Sequence, residues 1–318
     1  MTSPKPIPLW PWGLVGIVTI PLAVLALITF TRETQFVLFG DADWYATAIP
    51  ALFSDGPLYE PSKLGPHDFA FPPYWNQPPS TALFSLLTVL PGGRWLWGGV
   101  MIAFVLMGLL LLWPRVGLGG AMLLLPVLLV WLPVPSAMAW ANINALVFGL
   151  LALAWRFPRA AGWAIGVAAA AKLVPVLGVA WLIGRRDWRN AGIAIGVFLA
   201  ATLVVVLWKG PATIGDFISL RLNELTPPGA RPRWNPVELL ALPDWVAYAS
   251  AGLLTLLAIR FASLSLSIVA MLVAVPALHA HYLTWLLVPI LGIWLPWCLH
   301  WDRRPETISP GTEIGSTS

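Results

Sequence analysis

The chain is a succession of apolar stretches of about 15 to 22 residues, broken by proline, glycine and short basic clusters. A helix of that length, rising 1.5 Å per residue, matches a hydrocarbon core of roughly 30 Å. Such a pattern leaves little choice of fold: an all-α, polytopic membrane protein. Composition agrees, with 58% hydrophobic residues against 10% charged, 20 tryptophans and a mean hydropathy of +0.80, which excludes an ordinary soluble domain.

The apolar segments are 9–30, 95–113, 119–133, 137–155, 160–172, 174–184, 190–208, 245–259, 262–278 and 283–301, giving about 10 expected spans in one domain over 1–301. Segment 9–30 has no small-residue cleavage site before Arg32 and reads as a retained anchor. The run 78–90 lies between Pro-Pro and Pro-Gly-Gly and is too short to cross, so it reads as an interfacial helix. Pro175 interrupts 160–184 and favours two short helices. The tail 302–318, rich in Ser, Thr, Gly and Pro, has no apolar run to bury and is expected to be disordered. Cys298 is the single cysteine, so no internal disulfide can form and the redox compartment is unconstrained.

With the N-terminus inside, Lys5, Arg115, Arg156, Arg159, Arg185, Arg186, Arg189, Arg260, Arg303 and Arg304 fall on the cytoplasmic side, ten of the 18 basic residues. The opposite face receives Glu33, Asp41, Asp43, Asp55, Glu60, Asp68, Asp216, Glu224, Glu238 and Asp244, ten of the 14 acids. A rival arrangement, with 78–91 spanning and 160–184 as one helix, would put Arg115, Arg156 and Arg159 outside. The first agrees better with the positive-inside rule. It places a multi-pass protein in the plasma membrane with both termini cytoplasmic. Two long extracytoplasmic loops, 31–94 and 209–244, come together with Asn142, Asn144, Lys172 and the His279/His281 pair; loops of this length in a compact protein usually carry function. The basic balance does not indicate nucleic acid, because no basic cluster accompanies a soluble binding module.

Asp41 and Asp43 are two apart, so on a short helix one looks inward while the other meets water. Both read equally as solvated loop acids, or one as a carboxylate whose raised pKa suits a general base. Lys172, inside an apolar run, either snorkels to the surface or meets an anion there. Asn142 and Asn144 open a helix and serve as caps or interhelical donors. His279 and His281 beside Tyr282 are interfacial polar residues or phosphate ligands; H-x-H with no further ligand at suitable spacing is not a zinc site. Arg221, Arg231 and Arg233 are further candidates to grip a phosphate, and Trp75 or Trp234 to pack on a sugar, although interfacial tryptophan belts account for many of the 20. No Walker motif, Rossmann fingerprint or nucleophile elbow is present, so no nucleotide cofactor is expected.

The order of motifs resembles the GT-C superfamily of membrane glycosyltransferases, and within it glycosyltransferase family 87, the polyprenol-phosphate-mannose-dependent mannosyltransferase type. "DADWYATAIPALFSDGPLYEP" carries Asp41, Tyr45, Ala48, Gly56, Leu58 and Tyr59 of the first family pattern. "FAFPP" (Phe69–Pro73) is similar to its aromatic-x-Tyr-Pro-Pro element, "ANINALVFGLLAL" to its G-Q-V-N run with Ala141 and Asn142 in place of Gly-Gln, "KLVP" to its Lys-x-x-Pro stretch, and "HAHYL" to its late His segment. Asn235, in "WNPVE", stands where the family has Asn-x-Ser.

The resemblance implies transfer of a sugar, mannose in the first place, from a polyprenyl-phosphate donor to a lipid or glycan acceptor, with inversion, without metal, on the extracytoplasmic face. It implies Asp41 as base, Asp43 as the lesser candidate, Tyr45, Asn142, Asn144 and Asn235 as further substrate- or phosphate-binding residues, and Lys172, Arg221 and His281, with His279 behind it, on the leaving phosphate. The lipid tail would lie in a groove between spans. The alternative is a non-enzymatic transporter or assembly partner in envelope glycan synthesis. A transporter needs polar residues at mid-depth in several spans, and these spans are nearly bare of them.

Overall fold

A computed structural model of the chain describes residues 39–59, 77–130, 133–224, 244–275 and 280–294. The expected first span 9–30, the FAFPP element, Arg231, Arg233, Asn235, His279 and the tail 302–318 lie outside the described residues. Among the described residues the chain is helical with no strand.

Two short helices, α1 (Gly40–Ala46) and α2 (Ile49–Phe53), precede a π-helical turn (Ser80–Phe84) that runs into α3 (Ser85–Val89). Then come α4 (Gly93–Val130), α5 (Pro133–Trp140), α6 (Asn144–Arg156), α7 (Ala161–Ala171), α8 (Gly178–Gly184), α9 (Trp188–Lys209), α10 (Ala212–Glu224), α11 (Asp244–Arg260) and α12 (Leu264–Ala274). A 3-10 segment, Ala280–Leu286, leads into helical turns ending at Trp294.

Helix α6 is the axis of the bundle: nearly every residue from Asn144 to Ala154 is buried. Gly108 and Gly149 let it approach α4, since a methyl at either would collide with the Phe148 or Phe104 ring of the facing helix. With lipid outside, small residues that admit large neighbours are how such helices gain packing contact. The alanine-rich α7 uses Gly166 in the same way against Val197 of α9.

The outer surface is apolar. On α9, Ile195, Leu199, Leu203 and Leu207 are exposed at four-residue spacing, and Leu106, Leu110, Leu253 and Leu256 continue the belt on α4 and α11. A stripe of this kind is stable only against hydrocarbon or another protein. Gly93–Leu112 and Trp188–Lys209 are each long and apolar enough to cross a membrane.

The two ends of the bundle differ in charge. At one end the Asn190 amide donates to Pro158 O (3.0 Å) and Asp187 Oδ2 (2.7 Å) and accepts from Gly162 N (3.2 Å), while Gly184 abuts the Ile259 and Ala262 backbone. These contacts collect Arg156, Arg159, Arg185, Arg186, Arg189 and Arg260 there. At the other end Lys209, closing α9, donates from Nζ to Ala51 O (2.8 Å) and Ser54 O (2.7 Å), tying α2 to the bundle.

Two segment boundaries differ from expectation, and a third agrees with it. The backbone is helical throughout the 38 residues of α4, about 57 Å if straight. Yet the Phe39 ring meets Trp95 at 5.5 Å while the Phe39 N–H bonds Ala139 O on α5 at 2.7 Å. Val130 therefore lies within about 40 Å of Trp95, and α4 must bend; Pro114, Gly117, Gly119, Gly120 and Pro126 are the residues in it that weaken a helix. The separation of 95–113 from 119–133 is a bend in helical backbone and not a loop. Segment 137–155 is instead divided, into α5 and α6, at Ala141–Ile143. The break in 160–184 comes at Lys172, where segments 160–172 and 174–184 were expected to part, because a proline ring excludes the helical position of the carbonyl four residues back, here that of Ala171.

Candidate active site

Helix α1 is fixed from both sides. Phe39 precedes it in a left-handed conformation (φ 61°), with its N–H on Ala139 O. Gly40 lies so close to the Trp140 ring that an added Cβ would fall 2.8 Å from it. This sets the first turn, where Asp41 and Asp43 diverge. Asp41 is half-buried and Asp43 exposed, 3.5 Å from Arg94.

The break before α6 supplies the partner of Asp41. Ala141 is left-handed (φ 50°), Asn142 N bonds Ala137 O (3.0 Å) and Ala141 N bonds Met138 O (3.2 Å). This is the double-bonded Schellman closure of a helix, with alanine where glycine would be unstrained. It turns Asn142 toward α1. The Asn142 Nδ2 donates to Asp41 Oδ2 at 2.5 Å, and its Oδ1 accepts from Asn144 N at 2.9 Å. Two tryptophans hold the break in place: Trp97 Nε1 donates to Ala141 O (2.7 Å) and Trp285 Nε1 to Asn144 O (3.3 Å).

Lys172 enters from the end of α7, where the chain turns extended (φ −150°, ψ 131°). Its Nζ lies 4.0 Å from the centre of the Tyr282 ring, a cation–π contact, and its charge reaches Asp41. Burial pushes the Asp41 carboxyl up to about 7, opposed by Lys172 and by the Asn142 hydrogen bond. That value suits a base working near neutral pH. Tyr45 is buried, its hydroxyl 3.0 Å from Ser80 Oγ and its ring tilted on Trp97 at 4.4 Å; burial raises its pKa, so it stays neutral and acts as a wall.

The structure thus brings together Asp41, Asn142, Lys172 and Tyr45, with Asp43 at the rim. Asn144 begins α6 fully buried, and its side-chain amide has no hydrogen-bond partner among the described residues. Arg221 belongs to α10 and His281 to the 3-10 segment that carries Tyr282; their side chains, like His279 and Asn235, are outside the described residues. Sequence reading missed Trp97, Trp285, Ser80 and the part played by Tyr282. Tyrosine beside the HAH motif was a signal for the last; nothing separates two tryptophans from 18 others. Among the described residues no group of three or more His, Cys, Asp or Glu can hold a metal.

A family model described as glycosyltransferase family 87 matches residues 74–309, most of the chain. Asn142, Asn144 and Lys172 fall inside the match, whereas Asp41, Asp43 and Tyr45 precede it. No curated protein and no solved structure matches.

Proposed function

The chain belongs to glycosyltransferase family 87, and from that premise we propose that this membrane glycosyltransferase moves a sugar, mannose in the first place, from a polyprenyl-phosphate donor to a lipid or glycan hydroxyl. The reaction takes place at the extracytoplasmic end of a bundle of about ten spans. One observation carries the reading: the Asp41 carboxylate accepts a 2.5 Å hydrogen bond from the Asn142 amide and feels the Lys172 charge, at the end opposite the arginine cluster.

In this reading the acceptor oxygen attacks the anomeric carbon from the face opposite the phosphate while Asp41 takes its proton. The bond between that carbon and the phosphate oxygen breaks with inversion, and polyprenyl phosphate leaves with an added negative charge. Lys172 stabilises that charge, and Arg221 and His281 are the further cations proposed for it. Asn142 orients the Asp41 carboxylate through one oxygen and leaves the other for the acceptor. The positive-inside rule supports the sidedness, because the arginine end faces the cytoplasm under it.

The test is transfer from radiolabelled polyprenyl-phosphate mannose to endogenous acceptors, in membranes carrying the wild type or Asp41→Asn. General-base catalysis is worth about 10²–10⁴-fold, so the variant should lose at least two orders of magnitude. Equal transfer by both would remove Asp41 from the chemistry. Transfer by neither, with the protein folded, would exclude this donor.

A further inference from the structure

The geometry points to Gln77 as the residue that positions Lys172. Gln77 is buried, at the start of the helical stretch that carries Ser80 and Thr81. Its Nε2 donates to Ala169 O (2.7 Å) and Ala170 O (3.0 Å), and its Oε1 accepts from Leu173 N (2.9 Å). The carboxamide therefore grips the backbone on both sides of Lys172.

The physical need is plain. The last carbonyls of a helix lack partners within it, and Pro175 prevents the following residues from continuing α7. Ala168 O is satisfied by Lys172 N at 2.8 Å, and Gln77 takes the next two carbonyls. Its oxygen then takes the first N–H after Lys172, which fixes the extended conformation at that residue. A carboxamide is required because both donors and an acceptor are used at one site. The same backbone also starts the turn toward Tyr45: Thr81 N bonds Gln77 O at 3.0 Å, and Ser80 Oγ meets the Tyr45 hydroxyl. One residue thereby sets the distance between α1, with Asp41, and the Lys172 break.

This rests on the reading of Asp41 as base, and its readout is the Lys172 charge acting on Asp41. Besides Lys172, the charged or titratable groups around Asp41 among the described residues are Tyr45 on its own helix, Tyr282 on the 3-10 segment, and the Asp43–Arg94 pair at the rim. Burial keeps Tyr45 neutral and the Asp43–Arg94 pair nearly cancels, so Lys172 is the charge that a displaced backbone would move.

The experiment is the pH profile of transfer from polyprenyl-phosphate mannose by wild type, Gln77→Met, Lys172→Met and the double variant. Methionine keeps the length of the side chain and removes its hydrogen bonds. The low-pH limb should move up by about half a unit or more in Gln77→Met, in the direction of Lys172→Met, and the double variant should move no further than Lys172→Met alone. A lower rate with an unmoved limb, or a shift that adds to that of Lys172→Met, would overturn the assignment and leave Gln77 a packing residue. A second measurement needs no variant and no activity: hydrogen exchange at the Leu173 N–H of the wild type. Protection there is expected, and exchange as fast as in an open loop would overturn the grip. If Asp41→Asn transfers like the wild type while Leu173 is protected, the base assignment has failed and the grip on the backbone stands.

Discussion

Asn142 and Asp41, 101 residues apart, share a 2.5 Å hydrogen bond in which the amide cannot be reversed, because its oxygen is already engaged by Asn144 N. The bond lowers the Asp41 pKa against the effect of burial, as does Lys172, and the net value is about 7. Transfer should therefore rise with pH through about 7 as the base loses its proton. Asn142→Ala removes one lowering influence and should move that limb upward; a limb that stays in place would detach Asn142 from the base. The stability sign follows. The Asp41 pKa is raised from 3.8 to about 7, so its contribution is fully present below about pH 4 and is lost as pH rises through 7. Asp41→Asn should raise Tm at pH 8 relative to wild type, with the gain shrinking toward pH 4.

Asp43 is exposed and paired with a half-exposed Arg94 at 3.5 Å. Such a pair contributes about 0–1 kcal/mol. Asp43→Asn should keep transfer within about threefold of wild type and change Tm little. Loss equal to that of Asp41→Asn would show that the two carboxylates had been assigned the wrong roles.

Gly40→Ala places a methyl against the Trp140 ring, a contact only 2.8 Å away that a rigid indole cannot yield. Helix α1 must shift, and displacing a catalytic group by about 1 Å can cost about 10²-fold in rate. The expected outcome is folded protein with transfer reduced by one to two orders of magnitude. Pairing it with Trp140→Leu should recover part of the rate.

Lys209 holds two carbonyls of the α2 region. Hydrogen bonds to a charged group contribute about 1.5–3 kcal/mol in favourable cases, and less here because the site is partly open to water. Lys209→Met should expose the Ala51–Tyr59 stretch to protease sooner than in wild type while α9 remains intact. Unchanged cleavage would mean that the small core of Leu52, Leu58 and Tyr59 suffices to hold it.

Cysteines placed at Arg156, Arg159 and Arg189 should react with a membrane-impermeant reagent only from the cytoplasmic side, and a cysteine at Asp43 only from outside. Reversed labelling would turn the bundle over and remove the site from the extracytoplasmic face.

Much of this was legible from lengths and charges. Apolar runs of membrane dimension gave the helical class, and Arg156, Arg159, Arg185, Arg186, Arg189 and Arg260 gather at one end because each lies next to a segment boundary. The two-residue spacing of Asp41 and Asp43 sufficed to make one inward and one outward. The Pro175 break was legible in kind and in place, since the ring displaces the carbonyl of Ala171 and segments 160–172 and 174–184 part just after it. The Ala141 break was not legible, since alanine gives no hint of a positive φ. The contacts of Gln77, Trp97 and Trp285 join residues 44 to 141 positions apart, and no local pattern encodes a partner at that range.

Trp285 closes the break that aims Asn142, and Tyr282 covers Lys172, yet both come far later in the sequence than Asp41. The ribosome releases Asp41 long before either exists. A nascent chain inserting helix by helix holds its acid without the elements that orient its partners, so the arrangement around Asp41 is complete only once the segment carrying Tyr282 and Trp285 has docked.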